Sequence, residues 1–130
     1  MSQQDVETIK TAYEAFGRGD LQGAAENFTD DVEWWSSPEV PEGGTIRGKD
    51  AVVESWSNIP NYYSEFAAEP RELVDAGEKV FVLGTQRGTG KDTGNSFETP
   101  YVHVFWIEGG KVTRAEFHSD SAQEVKALGR

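Results

Sequence analysis

The feature that most constrains the fold is a series of extended segments in the second half of the chain. These segments cover residues 64–75 (interrupted near Pro70), 79–88, 96–107 and 112–119. The stretches "TGKDTGN" and "EGGK" between them are glycine-rich and typical of the tight turns that join antiparallel strands. The pattern therefore predicts a mostly antiparallel sheet.

Helical periodicity marks shorter segments around these strands. Residues 3–17 predict a first helix, with apolar residues at near-helical spacing. Asp20 is placed to cap a short second helix, and Asp50 to cap a third. Residues 120–128 predict a short helix at the end of the chain.

Between the second and third helices, "TDDVEWWS" (29–36) predicts a strand and residues 37–49 a Pro/Gly-rich loop. The predicted order is α-α-β-α-β-β-β-β-α. It has no internal repeat and no linker. We therefore expect one α+β domain over residues 1–130, with the curved sheet wrapped around the helices.

The charge of the chain limits its partners. The sequence has 12 basic and 23 acidic residues, a formal net charge of −11, with the acidic residues spread along its length. Nucleic acids and anionic membranes are bound by basic surfaces, so neither is expected as a partner. An ordinary acidic surface and an adaptation to high salt both fit this charge.

Composition also bears on cofactors and location. The chain has no cysteine and two histidines, so it offers neither a disulfide nor a recognisable set of metal ligands, and we expect no cofactor. We find no run of apolar residues long enough to span a membrane and no secretion signal at the N-terminus. The predicted location is the cytoplasm.

Two adjacent tryptophans, Trp34 and Trp35, stand near the end of the first predicted strand. Successive side chains of a strand point to opposite faces of the sheet. One indole is therefore expected to face the interior, and the other to face helix packing or a partner subunit.

Four stretches carry a family resemblance: "GDLQGAAENFTDDVEW", "IRGKDAV", "EKVFVLG" and "VHVFWIEGGKVTRAEFHSDSAQEVKALG". In this order and spacing, nearly the whole chain resembles the nuclear transport factor 2-like superfamily, especially its branch of SnoaL-like polyketide cyclases and ketosteroid-isomerase-like proteins. The resemblance implies a cone-shaped fold with a pocket open at one end, and a homodimer formed through the outer sheet face. It leaves the function open, because this fold hosts enzymes and catalytically silent binders.

The resemblance argues against steroid isomerisation. Ketosteroid isomerases use a base carboxylate after the first strand, a tyrosine on the first helix and a protonated aspartate on a later strand. Aligned positions here are Ser36, Ala12 and Val102, and none of these suits that chemistry. A shift by one residue would bring Tyr13 to the tyrosine position without restoring either carboxylate.

SnoaL-like cyclases suggest other catalytic residues. The resemblance matches Asp120 to an acid at the end of the last strand, with His103 the nearest match to a histidine on the preceding one. His118 and Asp120 share one face of a strand, so they form a candidate acid–base pair. Two alternatives remain: Asp120 caps the last helix, or this face, which also carries Arg114 and Glu116, is solvated or faces a partner subunit.

Strand parity decides which side chains line the pocket. On residues 101–107 either face is possible, and the resemblance favours the one carrying Val102 and Trp106 over the one carrying His103. The residues expected to contribute to the pocket, or alternatively to a plain core, are Tyr13, Phe16, Trp34, Ser36, Trp56, Tyr63, Phe81, Val102 and Trp106.

An aromatic pocket with few polar groups suits a small hydrophobic ligand. The first hypothesis is a cofactor-free enzyme that performs cyclisation, isomerisation or dehydration on such a molecule. The second is a protein that binds the ligand without reaction, and the third is a dimeric interaction module of the same fold.

Overall fold

The computed structural model describes residues 2–130. Its helices are α1 (Ser2–Gly17), α2 (Leu21–Ala24), α3 (Lys49–Ser57) and α4 (Ser121–Ala127), with a 3₁₀ turn at Ile59–Asn61. Its strands are β1 (Phe28–Ser36), β2 (Gly44–Arg47), β3 (Tyr63–Asp75), β4 (Lys79–Gly90), β5 (Ser96–Glu108) and β6 (Lys111–Ser119). The predicted α+β class and short C-terminal helix are confirmed.

All of these strands form one curved sheet in the order β2-β1-β6-β5-β4-β3. Neighbours pair antiparallel except β1 and β6, which run parallel, so the predicted mostly antiparallel sheet is confirmed. The strands from β3 to β6 follow one another through short turns. The parallel pairing of β1 with β6 attaches the first half of the chain to them and completes the cone.

Residues 37–49, predicted to be a loop, contain the additional strand β2. It pairs antiparallel with the end of β1, where Trp34 lies opposite Ile46. The N-cap of α3 is Gly48, at a φ of 96° that glycine adopts readily, so the prediction that Asp50 caps this helix is wrong. Asp50 lies in the first turn, where its negative charge faces the positive end of the helix dipole.

The core fills the space between the concave face of the sheet and the first three helices. Ile9 of α1, Val32 of β1, Val52 of α3 and Val80 and Val82 of β4 are all completely buried. Burying one such side chain stabilises the fold by about 1.5–3 kcal/mol. These aliphatic residues from both layers therefore hold the helices against the sheet.

The parity of β5 is opposite to the one that the resemblance favoured. Tyr101, His103 and Phe105 are buried on the concave face, whereas Val102 is 38% exposed on the outer face. Trp106 alternates with Phe105 and points outward as well. The expectation that Val102 and Trp106 line the pocket is therefore corrected.

The charges at the ends of β5 explain this parity. Glu98 and Glu108 share the outer face with Val102 and are both exposed, while Phe97 and Ile107 extend the inner set. Turning the strand over would bury two carboxylates without partners, at a cost of several kcal/mol each. The charged residues at both ends of β5 therefore determine which face of the strand is buried, which its central residues alone do not.

Pro70 lies within β3, which is an edge strand. Proline lacks a backbone N–H and is tolerated at an edge, where no neighbouring strand needs that donor. The pairing register with β4 shifts between Pro70 and Glu72, so the predicted interruption is a local irregularity in a continuous strand.

No helix among residues 2–130 is long and apolar enough to cross a membrane. The cytoplasmic location stays a prediction from the sequence.

A substitution at Gly84 measures how closely the neighbouring strands pack around this position. A Cβ atom there would lie 2.4 Å from the backbone oxygen of Glu69 and 2.7 Å from the ring of Tyr101. We expect Gly84→Ala to lower the free energy of unfolding by about 1–3 kcal/mol, measured by urea denaturation. Gly17→Ala, where nothing lies within 4 Å, is the control and should leave stability unchanged or raise it. Equal stability of the two variants would contradict the packing argument.

Candidate functional site

An open cavity lies between the concave face of the sheet and helices α1 and α3. Its volume is about 140 Å³. An apolar cavity of about this size holds one benzene molecule, so its enclosed part accommodates a ring while a larger ligand would extend through the mouth. The aromatic residues of the wall are Tyr13, Phe16, Phe28, Trp34, Trp56, Tyr62, Tyr63, Phe66, Phe105 and Phe117.

The structure places seven of the sequence-predicted site residues on the cavity wall. They come from α1, β1, α3, β3 and β5, which the fold brings together around one space. These residues are Tyr13, Phe16, Trp34, Ser36, Trp56, Tyr63 and His103. As expected for adjacent strand residues, Trp34 faces the cavity while Trp35 lies on the other side of the sheet.

Three residues expected in the pocket are not among those that line it: Phe81, Val102 and Trp106. Phe81 and Trp106 alternate with buried neighbours and point to the outer face. There the Trp106 ring lies 5.4 Å from the ammonium nitrogen of Lys79 and 5.7 Å from the guanidinium carbon of Arg114. These contacts give the outer face a cation–π cluster instead of a ligand site.

His118 and Asp120 do not line the cavity either, because Phe117 and Ser119 occupy the inner face of β6. The Nε2 atom of His118 lies 2.9 Å from Oε1 of Glu116. Asp120 caps α4, where its Oδ1 atom accepts a hydrogen bond of 3.3 Å from the backbone N–H of Gln123. The helix-cap alternative is therefore the arrangement found, and the expected acid–base pair is not assembled at the cavity.

His103 is enclosed by aromatic rings. The ring centres of Phe105, Phe117 and Trp34 lie 4.5, 4.8 and 4.9 Å from that of the imidazole. Burial lowers the pKa of His103 to about 3, because the charged form would lose its hydration among these rings. The imidazole is therefore neutral at physiological pH.

A single hydrogen bond links His103 to the first helix. The hydroxyl of Tyr13 lies 2.6 Å from Nδ1, and Nε2 has no hydrogen-bond partner among the residues that the structure describes. Burial raises the pKa of Tyr13 well above its usual value, so the phenol keeps its proton. The wall thus carries a neutral phenol–imidazole pair with one nitrogen that no protein group uses.

A second polar centre lies on the cavity wall and was missed by the sequence reading. Glu124 of α4 is 5% exposed, and its Oε1 atom accepts a hydrogen bond of 3.0 Å from Nε2 of Gln86. The hydroxyl of Tyr63 donates to the other oxygen, Oε2. Burial raises the pKa of Glu124, although both hydrogen bonds act in the opposite direction.

The spacing within α4 contains the signal for Glu124. Ala127 and Leu128 follow it by three and four residues, which places all three on one helix face. Ala122, two residues before Glu124, is exposed. Gln86 continues the buried alternation of β4 with Val82 and is completely buried.

The loop between β1 and β2 forms part of the cavity rim. Glu42 adopts a φ of 63°, which costs a non-glycine residue about 1–2 kcal/mol. Its Oε2 atom accepts a hydrogen bond of 2.8 Å from Tyr62, and the hydroxyl of Ser121 donates to Glu39 over 2.8 Å. These contacts fix the loop to both the turn after α3 and to α4.

Among the described residues, no group of three or more His, Cys, Asp or Glu side chains is arranged to hold a metal ion.

Comparisons with known proteins agree with this fold. A family model described as a SnoaL-like domain matches residues 9–115. A nuclear transport factor 2-like protein of unknown function from Burkholderia pseudomallei is 32% identical, with a TM-score of 0.90 over 98% of both chains. TerC, which was co-crystallised with polyporic acid, is 26% identical, with a TM-score of 0.89 over 98% of this chain and 99% of that one.

A more distant structure is IdmH from Streptomyces antibioticus, described as a candidate polyketide cyclase. It is 23% identical, with a TM-score of 0.77 over 98% of this chain and 99% of that one. At this identity the likeness concerns the fold alone.

The buried imidazole predicts a specific pH dependence of stability. Below pH 6.5 the unfolded chain protonates His103, while the folded chain does so only near pH 3, so folding loses stability as the pH falls. Well below pH 6.5 this loss is about 1.4 kcal/mol per pH unit. We expect His103→Phe to lose less stability than the wild type between pH 6.5 and 4.5, by about 2 kcal/mol.

Urea denaturation at several pH values measures this difference. A titration of the His103 ring by NMR checks the same claim without a variant. A ring that titrates near pH 6.5 in the folded protein would contradict it.

Proposed function

Because the chain belongs to the SnoaL-like domain family, within the nuclear transport factor 2-like superfamily, we propose that it acts on a small hydrophobic molecule by cofactor-free acid–base chemistry. The observation that carries this proposal is the aromatic cavity with the neutral Tyr13–His103 pair in its wall. Aromatic walls with few polar groups bind apolar rings and orient them through single hydrogen bonds.

The ligand proposed for this cavity contains a ring and an oxygen. Trp34 and Trp56 meet edge to face with their ring centres 5.2 Å apart, which forms a rigid apolar wall for a ring. A carbonyl or hydroxyl oxygen of the ligand would use Nε2 of His103, for which the protein supplies no partner. The co-crystallisation of TerC with polyporic acid supports a small organic ligand here.

A neutral imidazole beside a phenol can act as the hydrogen-bond donor in an acid–base reaction. It donates a hydrogen bond to an oxygen on which negative charge develops, without the cost of carrying a charge itself. Enolisation of a ketone is a reaction of this kind: water or a buffer base entering through the open mouth takes the proton from carbon, and the electron pair moves to the carbonyl oxygen, which Nε2–H stabilises by a hydrogen bond.

The second candidate function is binding without reaction. Ser36 lines the cavity at the position where the resemblance places the isomerase base, and Val102 points away from it. Neither position supplies a carboxylate. A protein that holds or sequesters a hydrophobic ligand needs no such group.

Proton exchange separates these two functions. The bicyclic ketone 2-tetralone is incubated with the protein in D₂O, and deuterium incorporation is followed by NMR. We expect exchange above the buffer rate, and a loss of about 100-fold in Tyr13→Phe, the lower end of the range for one group of an acid–base site. Binding of the ketone with exchange at the buffer rate would favour the second candidate.

The adjacent tryptophans provide a matched test of the binding site. We expect Trp34→Ala to weaken the binding of 2-naphthol by about five- to tenfold, because one aromatic contact with the ligand is worth about 1 kcal/mol. Trp35→Ala, on the outer face, should leave the affinity unchanged. Isothermal titration calorimetry measures both, and an equal effect of the two substitutions would place the ligand elsewhere.

We also propose a homodimer through the outer sheet face. Leu83 and Val102 lie opposite each other on β4 and β5 and are 39% and 38% exposed.

A lysine at the centre of an apolar interface leaves a charge without a partner. We therefore expect Val102→Lys to shift the protein from dimer to monomer in sedimentation equilibrium, with Asp5→Lys on α1 as the control. A wild-type monomer at high micromolar concentration would refute this arrangement.

A further inference from the structure

One end of the cavity has more hydrogen-bond acceptors than donors. Glu124 accepts one hydrogen bond on each oxygen, from Gln86 and Tyr63. A carboxylate has about four acceptor positions, so about two remain open. The Oε1 atom of Gln86 is buried and has no hydrogen-bond partner within residues 2–130.

The described part of the chain supplies no cation to this carboxyl group. Among residues 2–130, no lysine, arginine or histidine nitrogen lies within 4.0 Å of a Glu124 oxygen. The positive charge of Arg130 acts on the phenol of Tyr63 but makes no ion pair with Glu124. Buried carboxyl groups in proteins are normally paired with a cation or hold a proton.

Aromatic faces surround the same end of the cavity. The rings of Tyr63 and Phe66 lie 5.2 Å apart, and both residues line the cavity together with Tyr62 and Glu124. Ring faces attract cations, and this attraction strengthens when water is excluded. A carboxyl group with open acceptor positions beside such rings is therefore complementary to a positively charged donor.

We infer that this end of the cavity binds the protonated amino group of a hydrophobic amine, with Glu124 as its counter-ion. A primary ammonium group has three donors and no acceptor, which matches the open positions on Glu124 and Gln86. The hydrocarbon part of the amine then lies between the aromatic walls. This inference rests on the proposed function, because it needs the cavity to hold a small hydrophobic molecule, and it specifies the charge of that molecule.

Three residues have separate roles in this arrangement. Glu124 supplies the opposite charge, and Gln86 holds one carboxylate oxygen while its unpartnered carbonyl oxygen is a second acceptor for the amine. Tyr63 fixes the other oxygen by its hydroxyl group. In this arrangement Tyr63 and Gln86 are positioning residues for Glu124, and the charged contact belongs to the glutamate.

A pair of probes of equal shape tests the charge preference. The compounds are 2-aminoindane, which is protonated at pH 7, and 2-indanol, which is neutral; both contain one fused ring system of a size suited to the cavity. A charge-assisted hydrogen bond in a buried site is worth about 10- to 100-fold in affinity. We expect isothermal titration calorimetry at pH 7 to show 2-aminoindane binding tighter than 2-indanol by this factor.

Variants assign the preference to Glu124. Glu124→Gln keeps the size of the side chain and removes its charge, so we expect it to abolish the preference for the amine over 2-indanol. Glu116→Gln is the matched control, since Glu116 is also hydrogen-bonded but lies on the outer face beside Arg114 and His118. It should retain the full preference for the amine.

The outcomes separate this inference from the proposed function. Tighter binding of 2-indanol, or equal binding of both compounds, would overturn the inference and leave the proposed hydrophobic site intact. A preference for the amine that survives in Glu124→Gln would also overturn it. If neither compound binds, both proposals fail. Should Glu124→Gln not fold, the comparison of the two probes on the wild-type protein still decides the question.

Discussion

The two-residue alternation of the sheet, fixed by charged residues at the strand ends, is the constraint on which the rest of the structure depends. Glu98 and Glu108 hold one face of β5 in solvent, and this turns Tyr101, His103 and Phe105 toward the helices. Strand β6 pairs with β5, and the same alternation places the side chain of Phe117 on the inner face of the sheet. Both the apolar lining of the cavity and the enclosure of the imidazole follow from it.

The apolar lining of the cavity contains two polar centres, one neutral and one acidic. His103 and Tyr13 form a pair that burial holds neutral, so it serves hydrogen bonding without charge. Glu124 is the acidic centre, held by Tyr63 and Gln86 from two strands. A cavity with a neutral centre and an acidic centre can orient an asymmetric ligand, because each end of the ligand is bound by a different chemistry.

The sequence predicted the order and type of most elements, because long alternating segments and the Asp20 cap are local signals. It did not predict β2, whose four residues pair with β1 and have no pattern of their own. It also missed Glu124: the spacing to Ala127 and Leu128 indicates a buried helix face, but the hydrogen-bond donors that make a buried glutamate tenable come from distant strands. His103 and the outward His118 differ by strand parity alone, which depends on distant strand ends rather than on neighbouring residues.

The irregular β3 has a consequence for how copies of this chain can meet. One border of the sheet is β3, whose pairing register shifts after Pro70, and the other is the four-residue β2. A proline and a very short strand both prevent continuous backbone pairing with another molecule. Continuous strand-to-strand addition of copies into ribbons is therefore disfavoured at both borders of the sheet.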